Sequence, residues 1–137
     1  GQVQTFESQS LTVSEIAIHD NSRCPINIDN ETYLMNVYYT NAIFGYTYKI
    51  KRKESELKSK VTNMKFTLDL WLSTKINSDN EFITIRKTGR DLLVNYEDIN
   101  SKPAFAIAYS VNRDCKYQRN KVLEKKFEEI AKRRGGF

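Results

Sequence analysis

Three pairs of carboxylates lie close together in the chain: Asp29 with Glu31, Asp79 with Glu81, and Glu97 with Asp98. Two acids flanking a bond are the apparatus of glycoside hydrolysis, one donating a proton while the other acts as base or nucleophile. The same spacings recur in turns and helix caps, where side-chain oxygens accept from backbone amides. The single histidine, His19, follows Ile18 near the end of an amphipathic stretch and has no Ser or Cys arrangement beside it. No GxSxG, HExxH, P-loop or GxGxxG pattern occurs. Asp29-Asn30-Glu31 lacks the further oxygen ligands and the glycine of a calcium loop. These residues predict a domain that is not an enzyme and that needs no cofactor and no metal.

The two cysteines add a structural expectation. Cys24 precedes Pro25 and Cys115 ends an alternating apolar run, so neither has the spacing of a metal ligand. An even count at the borders of structured segments predicts a Cys24–Cys115 disulfide in an exported protein, with two separate reduced thiols as the alternative. The bridge would close a loop of about 90 residues, worth roughly 4–5 kcal/mol in the chain-entropy model.

Elements that would position these residues follow from periodicity. The 137 residues suit one domain, with a core from about residue 10 to 115. Val3, Phe6, Val13, Ile16 and Ala17 predict an amphipathic N-terminal helix that stops before Pro25. Two alternating runs flank Thr40–Asn41 and predict a hairpin pairing Tyr39 with Ala42, Val37 with Phe44, Met35 with Tyr46, and Tyr33 with Tyr48. That register buries Tyr33, Met35, Val37, Phe44, Tyr46 and Tyr48 on one face and leaves Tyr38 on a largely polar one. The rival reading of the rings is an exposed stacking platform.

Leu57, Val61, Met64, Leu68, Trp71 and Leu72 form an apolar stripe with no Gly or Pro between Lys51 and Ile76, predicting one continuous helix with Met64 and Trp71 in the core. Ser78 and Glu81 match a capping box for a further helix that ends near Gly89, with a strand at Phe82–Ile85 as the alternative. A second hairpin turns around residues 99–102 and pairs Tyr96 with Phe105, Val94 with Ile107, and Leu92 with Tyr109. Its opposite face carries Ala104, Ala106 and Ala108, small enough for a helix to approach closely. The expected fold is α+β: two antiparallel hairpins forming one sheet packed by helices, with an N-terminal helix and a basic C-terminal one.

Charge is concentrated at one end. Residues 116–137 hold eight Lys or Arg and three Glu, which accounts for the whole net charge of +5. Leu123, Phe127, Ile130 and Ala131 share one side of a helical wheel, so this tail predicts an amphipathic helix docked by its stripe. Its outward residues Lys125, Lys126, Lys132, Arg133 and Arg134, together with Tyr38, are the candidate partner contacts. A protein partner is expected; the alternative is nucleic acid or an anionic surface held by the basic tail. The longest apolar runs fall far below the roughly 18 residues of a membrane span. The start at Gly1–Gln2 suits either removal of a leader or an engineered beginning, and does not decide the compartment.

"CPINIDNETYLMNV", "FGYTYKI", a long helix, "NEFITIRKTG", "LLVNYEDINSK" and a cysteine after the last strand resemble the layout of small exported bacterial domains. That group includes quorum-sensing-regulated virulence-factor-like proteins and uncharacterised relatives. The resemblance spans residues 24–115 and implies export, an α+β fold and a virulence association, and it brings no catalytic residues. The longer middle helix and the basic tail depart from it. The expectation is an exported protein-interaction domain, periplasmic or secreted.

Overall fold

In a computed structural model, residues 11–136 are described. Val3 and Phe6, expected in the first helical stripe, lie outside them. The described chain runs α1 (Val13–Arg23), β1 (Ile26–Asn27), β2 (Thr32–Tyr39), β3 (Ile43–Ile50), α2 (Glu54–Lys58), α3 (Val61–Ser78), α4 (Asn80–Lys87), β4 (Asp91–Glu97), β5 (Pro103–Val111), β6 (Tyr117–Arg119) and α5 (Lys121–Arg133). The six strands form one sheet in sequence order, antiparallel throughout except where β3 and β4 run parallel. Parallel neighbours require a crossover, which α2, α3 and α4 supply. Two hairpins thus join side by side into a mixed sheet of an α+β domain.

Helices cover both faces. Val13, Ile16, Leu57, Leu72, Ile76, Phe82 and Ile85 from α1–α4 pack with Val37, Phe44, Val94 and Ile107 on one face. On the other, Leu123 and Phe127 of α5 lie against Leu93, Ala106 and Ala108. The alanines thus admit the C-terminal helix, as their size allows. The aromatic row answers to burial: Phe44, Tyr46, Tyr48, Tyr96 and Phe105 follow one another across the sheet, with successive centroids 5.4, 6.4, 5.4 and 4.8 Å apart.

Register separates the two hairpins. In the second, Tyr96 faces Phe105, Val94 faces Ile107 and Leu92 faces Tyr109, as expected. Its turn is held by the buried Asp98, whose Oδ1 accepts from Asn100 N at 2.8 Å and Lys102 N at 3.0 Å. In the first, Tyr39 faces Phe44 and Val37 faces Tyr46, two residues from the expected pairing, and a bulge falls at Met35. A shift of two keeps each side chain on its face, whereas a bulge reverses the alternation beyond it. Leu34 therefore replaces Tyr33 and Met35 in the core. Tyr33 is half-buried, with Lys51 Nζ 4.4 Å above its ring.

Helix ends and faces bring further corrections. The expected single helix breaks at Ser59–Lys60, where Ser59 Oγ donates to the Glu56 carbonyl at 3.0 Å, a local bond that competes with helix continuation. Trp71 is 46% exposed, because the buried side is set by Leu68, Leu72 and Ile76, and a neighbour one residue away points about 100° off. Ser78 ends α3 instead of capping α4, and Asp79 occupies the cap position. The reciprocal capping box lies at Thr12 and Glu15 of α1. Gly89, at φ 76°, follows the end of α4 in the left-handed conformation that glycine adopts freely.

The expected disulfide is corrected too: Cys24 and Cys115 are both free thiols. Cys24 caps α1 just before edge strand β1, while Cys115 sits in the turn between β5 and β6 at the opposite edge. Four to five strand spacings, roughly 20 Å, lie between those positions, and a disulfide requires Cα atoms about 4.4–6.8 Å apart. Flanking the domain in sequence places them on its two far edges in space.

Candidate interaction surface

The C-terminal helix begins at Asn120, whose Oδ1 accepts from Leu123 N at 3.0 Å. Strand β6 pairs only with the last three residues of β5, leaving the rest of that edge without a strand. Two acids of α5 cover the gap: Glu124 Oε1 accepts from Ala108 N at 3.2 Å and Glu128 Oε2 from Ala106 N at 3.0 Å. Lys65 of α3 donates to Glu124 at 3.1 Å and to Glu128 at 2.6 Å. Arg119 makes two bonds to Glu124, at 2.8 and 2.9 Å, and reaches Asp69 at 3.4 Å. Asp69 in turn accepts from Tyr109 Oη at 2.6 Å. Burial pushes the Glu124 carboxyl up, but Arg119 and Lys65 outweigh it and hold the group below the usual carboxylate range. The Tyr109 phenol is held far above its ordinary value by burial and then by Asp69, so it is a neutral donor.

This inward turn of two acids shapes the outer side of α5. Lys125, Lys126, Lys132, Arg133 and Arg134 are exposed, and among the described residues none is ion-paired. Lys125 and Lys132 join Lys58 and Lys65, together with Glu128 and Glu129, along a groove of about 470 Å³ between α2, α3, β5 and α5. Tyr38 is 37% exposed and does not reach outward as a free ring. It lies over Gly45, where an added Cβ would stand 2.1 Å from the ring, and its hydroxyl accepts from Asn95 Nδ2 at 2.8 Å.

Sequence periodicity missed the outward face of α3. Phe66 is 66% exposed, Leu70 62% and Trp71 46%. Thr62, Asn63, Thr67, Thr74 and Ser78 are exposed on the same helix, while Lys65 and Asp69 turn toward the sheet edge and α5. Lys75 stands at the rim, paired with Asp79 at 2.8 Å and with Nζ 5.7 Å from the Trp71 ring centroid. In a chain that is 28% charged, a nearly uncharged outer face carrying two aromatic rings and a leucine has the composition of an interface centre. The available signal was that Phe66 and Leu70 fit no position of the Leu57–Leu72 stripe.

The groups singled out for chemistry are dispersed. His19 is exposed, and its carbonyl accepts from Ser22 Oγ. Asp29 Oδ1 accepts from Glu31 N at 2.8 Å, Asp98 holds its turn, and Asp79 pairs with Lys75. Among the described residues no group of three or more His, Cys, Asp and Glu side chains could hold a metal ion. No described helix is long and apolar enough to cross a membrane.

Neither a protein-family model nor a curated protein matches the sequence. Among solved structures, the chain is similar to a Pseudomonas aeruginosa protein provisionally described as secreted, at a TM-score of 0.62 and 10% identity over 76% of this chain and 89% of that one. It is also similar to the pilotin EpsS of the Vibrio vulnificus type 2 secretion system, at a TM-score of 0.48 and 12% identity over 70% and 82% of the two chains. The first of these likenesses shows a shared small α+β fold.

Proposed function

We propose that this chain is an exported, non-enzymatic protein-interaction domain, and that the outward face of α3 is its principal contact. The observation that carries this reading is the exposure of Phe66, Leu70 and Trp71 on one uncharged helix face. Large side chains of this kind cover about 150–250 Å² each, and at 46–66% exposure the three offer roughly 300–400 Å². Half of a stable protein–protein interface takes about 800 Å². A face of that size along a helix of 18 residues fits an amphipathic segment of another protein better than a second copy of this one. The net charge of +5 favours a segment with acidic flanks. Export is supported by the fold shared with a protein provisionally described as secreted and by the resemblance in the sequence.

A second reading rests on the inward turn of Glu124 and Glu128, which leaves Glu129 as the exposed acid of α5 among its outward basic residues. It makes α5 the contact for nucleic acid or an anionic surface, with Lys125, Lys126, Lys132, Arg133 and Arg134 as its residues.

A photo-crosslinking residue at Leu70, with the exposed Ile18 of α1 as control, tests the choice in the native compartment. The expected result is a discrete protein adduct at position 70, absent at 18, that persists as salt rises and disappears in a Phe66→Ser/Trp71→Ser background with an unchanged melting temperature. No adduct at 70, combined with steeply salt-dependent retention on anionic vesicles or nucleic acid, would replace the first reading by the second.

A further inference from the structure

The sheet face that carries α5 has two kinds of cover. Over β4 and β5 the cover is α5, through Leu123 and Phe127. Over β3 it is the Tyr38 ring of β2, which lies flat because its cross-strand neighbour is Gly45. A side chain at position 45 would displace that ring, since its Cβ would stand 2.1 Å away. The ring thereby crosses β3 and brings its hydroxyl to Asn95 of β4, 2.8 Å from Nδ2. Between Tyr38 and the α5 residues Phe127 and Ala131 lies a cavity of about 220 Å³.

Its floor is polar. Alternation along β4 turns Asn95 and Glu97 to the same side as Leu93, and Thr47 of β3 is the cross-strand neighbour of Asn95. All three line the cavity with Tyr38. Asn95 Nδ2 also donates to the Tyr46 carbonyl at 3.3 Å, which orients the amide and leaves Oδ1 as its spare acceptor. Among the described residues, Asn95 Oδ1, the Thr47 hydroxyl, the Tyr38 hydroxyl hydrogen and the Glu97 carboxylate have no further partner. Thr47 is 9% exposed, and no fully buried side-chain oxygen or nitrogen among those residues lacks a partner, so its hydroxyl opens into the cavity.

Charge selects what such a cavity takes. An anion would meet Glu97, whereas a cation would meet Lys49, the cross-strand neighbour of Glu97, and a net charge of +5. Burial first, against the opposing Lys49 and with Asp98 adding to it, holds the Glu97 carboxyl above its ordinary range, which suits an uncharged partner. A wholly apolar molecule would strand the oxygens of the floor. A neutral molecule with hydroxyls on one side and C–H groups on the other satisfies both the floor and the apolar wall of Ala106 and Phe127. The volume falls short of the roughly 300–1,000 Å³ of a drug-sized site, so it suits one ring. We propose that this cavity binds a single neutral sugar ring, with Tyr38, Thr47, Asn95 and Glu97 as its hydrogen-bonding residues. The outward face of α3 lies across the sheet from it, so the two contacts are separate.

Titration of the full chain with the methyl glycosides of glucose, mannose and N-acetylglucosamine, followed by amide chemical shifts, tests this. At least one should give saturable shifts at Thr47, Asn95 and Ala106 with a Kd on the order of 1–10 mM. Thr47→Val and Tyr38→Phe each remove a hydroxyl and keep the shape, and each should weaken binding about tenfold. Ile18→Ser, on the exposed side of α1, should leave it unchanged. The absence of saturable shifts with all three glycosides overturns the proposal, as does an affinity that both hydroxyl deletions leave unaltered. Tighter binding of n-butylammonium chloride, lost in Glu97→Gln, would make the cavity a cation site and overturn it equally.

Discussion

Cys24 donates its thiol hydrogen to the Asp20 carbonyl at 3.2 Å, and burial, with Asp20 adding to it, pushes the thiol above its ordinary value. It is therefore a poor nucleophile, held in a half-buried site. Cys115 is exposed in a turn at φ 56°. Two expectations follow at this scale. A reductant leaves the melting temperature unchanged, because no bridge exists to break. Thiol-labelling reagents modify Cys115 quickly and Cys24 slowly in the folded protein. A melting temperature that falls on reduction, with neither cysteine labelled beforehand, would restore the disulfide. Side chains elsewhere show the same rule, that local neighbours decide what a reactive group does: the Asp29 and Asp98 carboxylates are occupied by turn amides.

Among the elements, α5 depends most on a few polar contacts. Its stripe on Leu93, Ala106 and Ala108 is narrow, and Glu124, Glu128, Lys65 and Arg119 supply the remainder of its attachment. Lys65→Met should cost about 3 kcal/mol, since removing it leaves the buried Glu124 and the half-buried Glu128 short of a cation. Chemical denaturation measures it, and an unchanged midpoint would show that Arg119 alone satisfies Glu124 and that Glu128 needs no cation. The pH dependence has a definite sign. Glu124 is depressed in the folded state, so its contribution is present above the ordinary carboxyl range and is lost as pH falls through the lowered value. Acid should therefore undock α5, seen as exchange of its amides.

Across the whole molecule, the edges of the sheet are closed by side chains that imitate strands. Asn21 of α1 both donates to the Val37 carbonyl, at 2.7 Å, and accepts from its amide, at 2.8 Å, beyond the short β1. Asn77 of α3 does the same for Tyr117 of β6, at 3.1 and 2.7 Å. Glu124 and Glu128 cover β5. Closed edges block pairing with other chains and leave helix faces as the surfaces open to a partner. Cutting the chain after Arg119 keeps β6 but removes α5, uncovers β5 and exposes Leu93. It should unfold the domain, given that each large apolar side chain is worth roughly 1.5–3 kcal/mol when buried. Reversing Lys125, Lys126, Lys132, Arg133 and Arg134 to Glu turns the formal net charge from +5 to −5 yet touches no buried contact, so the melting temperature should move little. Equal losses for both variants would mean that the outer charges, and not the stripe, hold the helix.

What the sequence determined by itself was whatever depends on neighbours along the chain. The register of the Leu92–Tyr109 hairpin, the helix over residues 80–87 and the apolar side of α5 are all legible from a repeat of two or 3.6 residues and its turn signals. The Met35 bulge, the parallel seam of β3 with β4, the separation of the two cysteines and the bond from Tyr46 to Glu81 were decided only in the tertiary structure. Each depends on which surface a segment meets from tens of residues away. Alternation cannot say where one extra residue is inserted, a periodic stripe cannot say how far its buried arc extends, and a charge pattern cannot say which acids turn inward. Phe66, Leu70 and Trp71 became an outward face because the sheet was already filled by Leu68, Leu72 and Ile76. Lys125 and its neighbours outnumber the acids on the outer side of α5 because the open edge of β5 had drawn in Glu124 and Glu128.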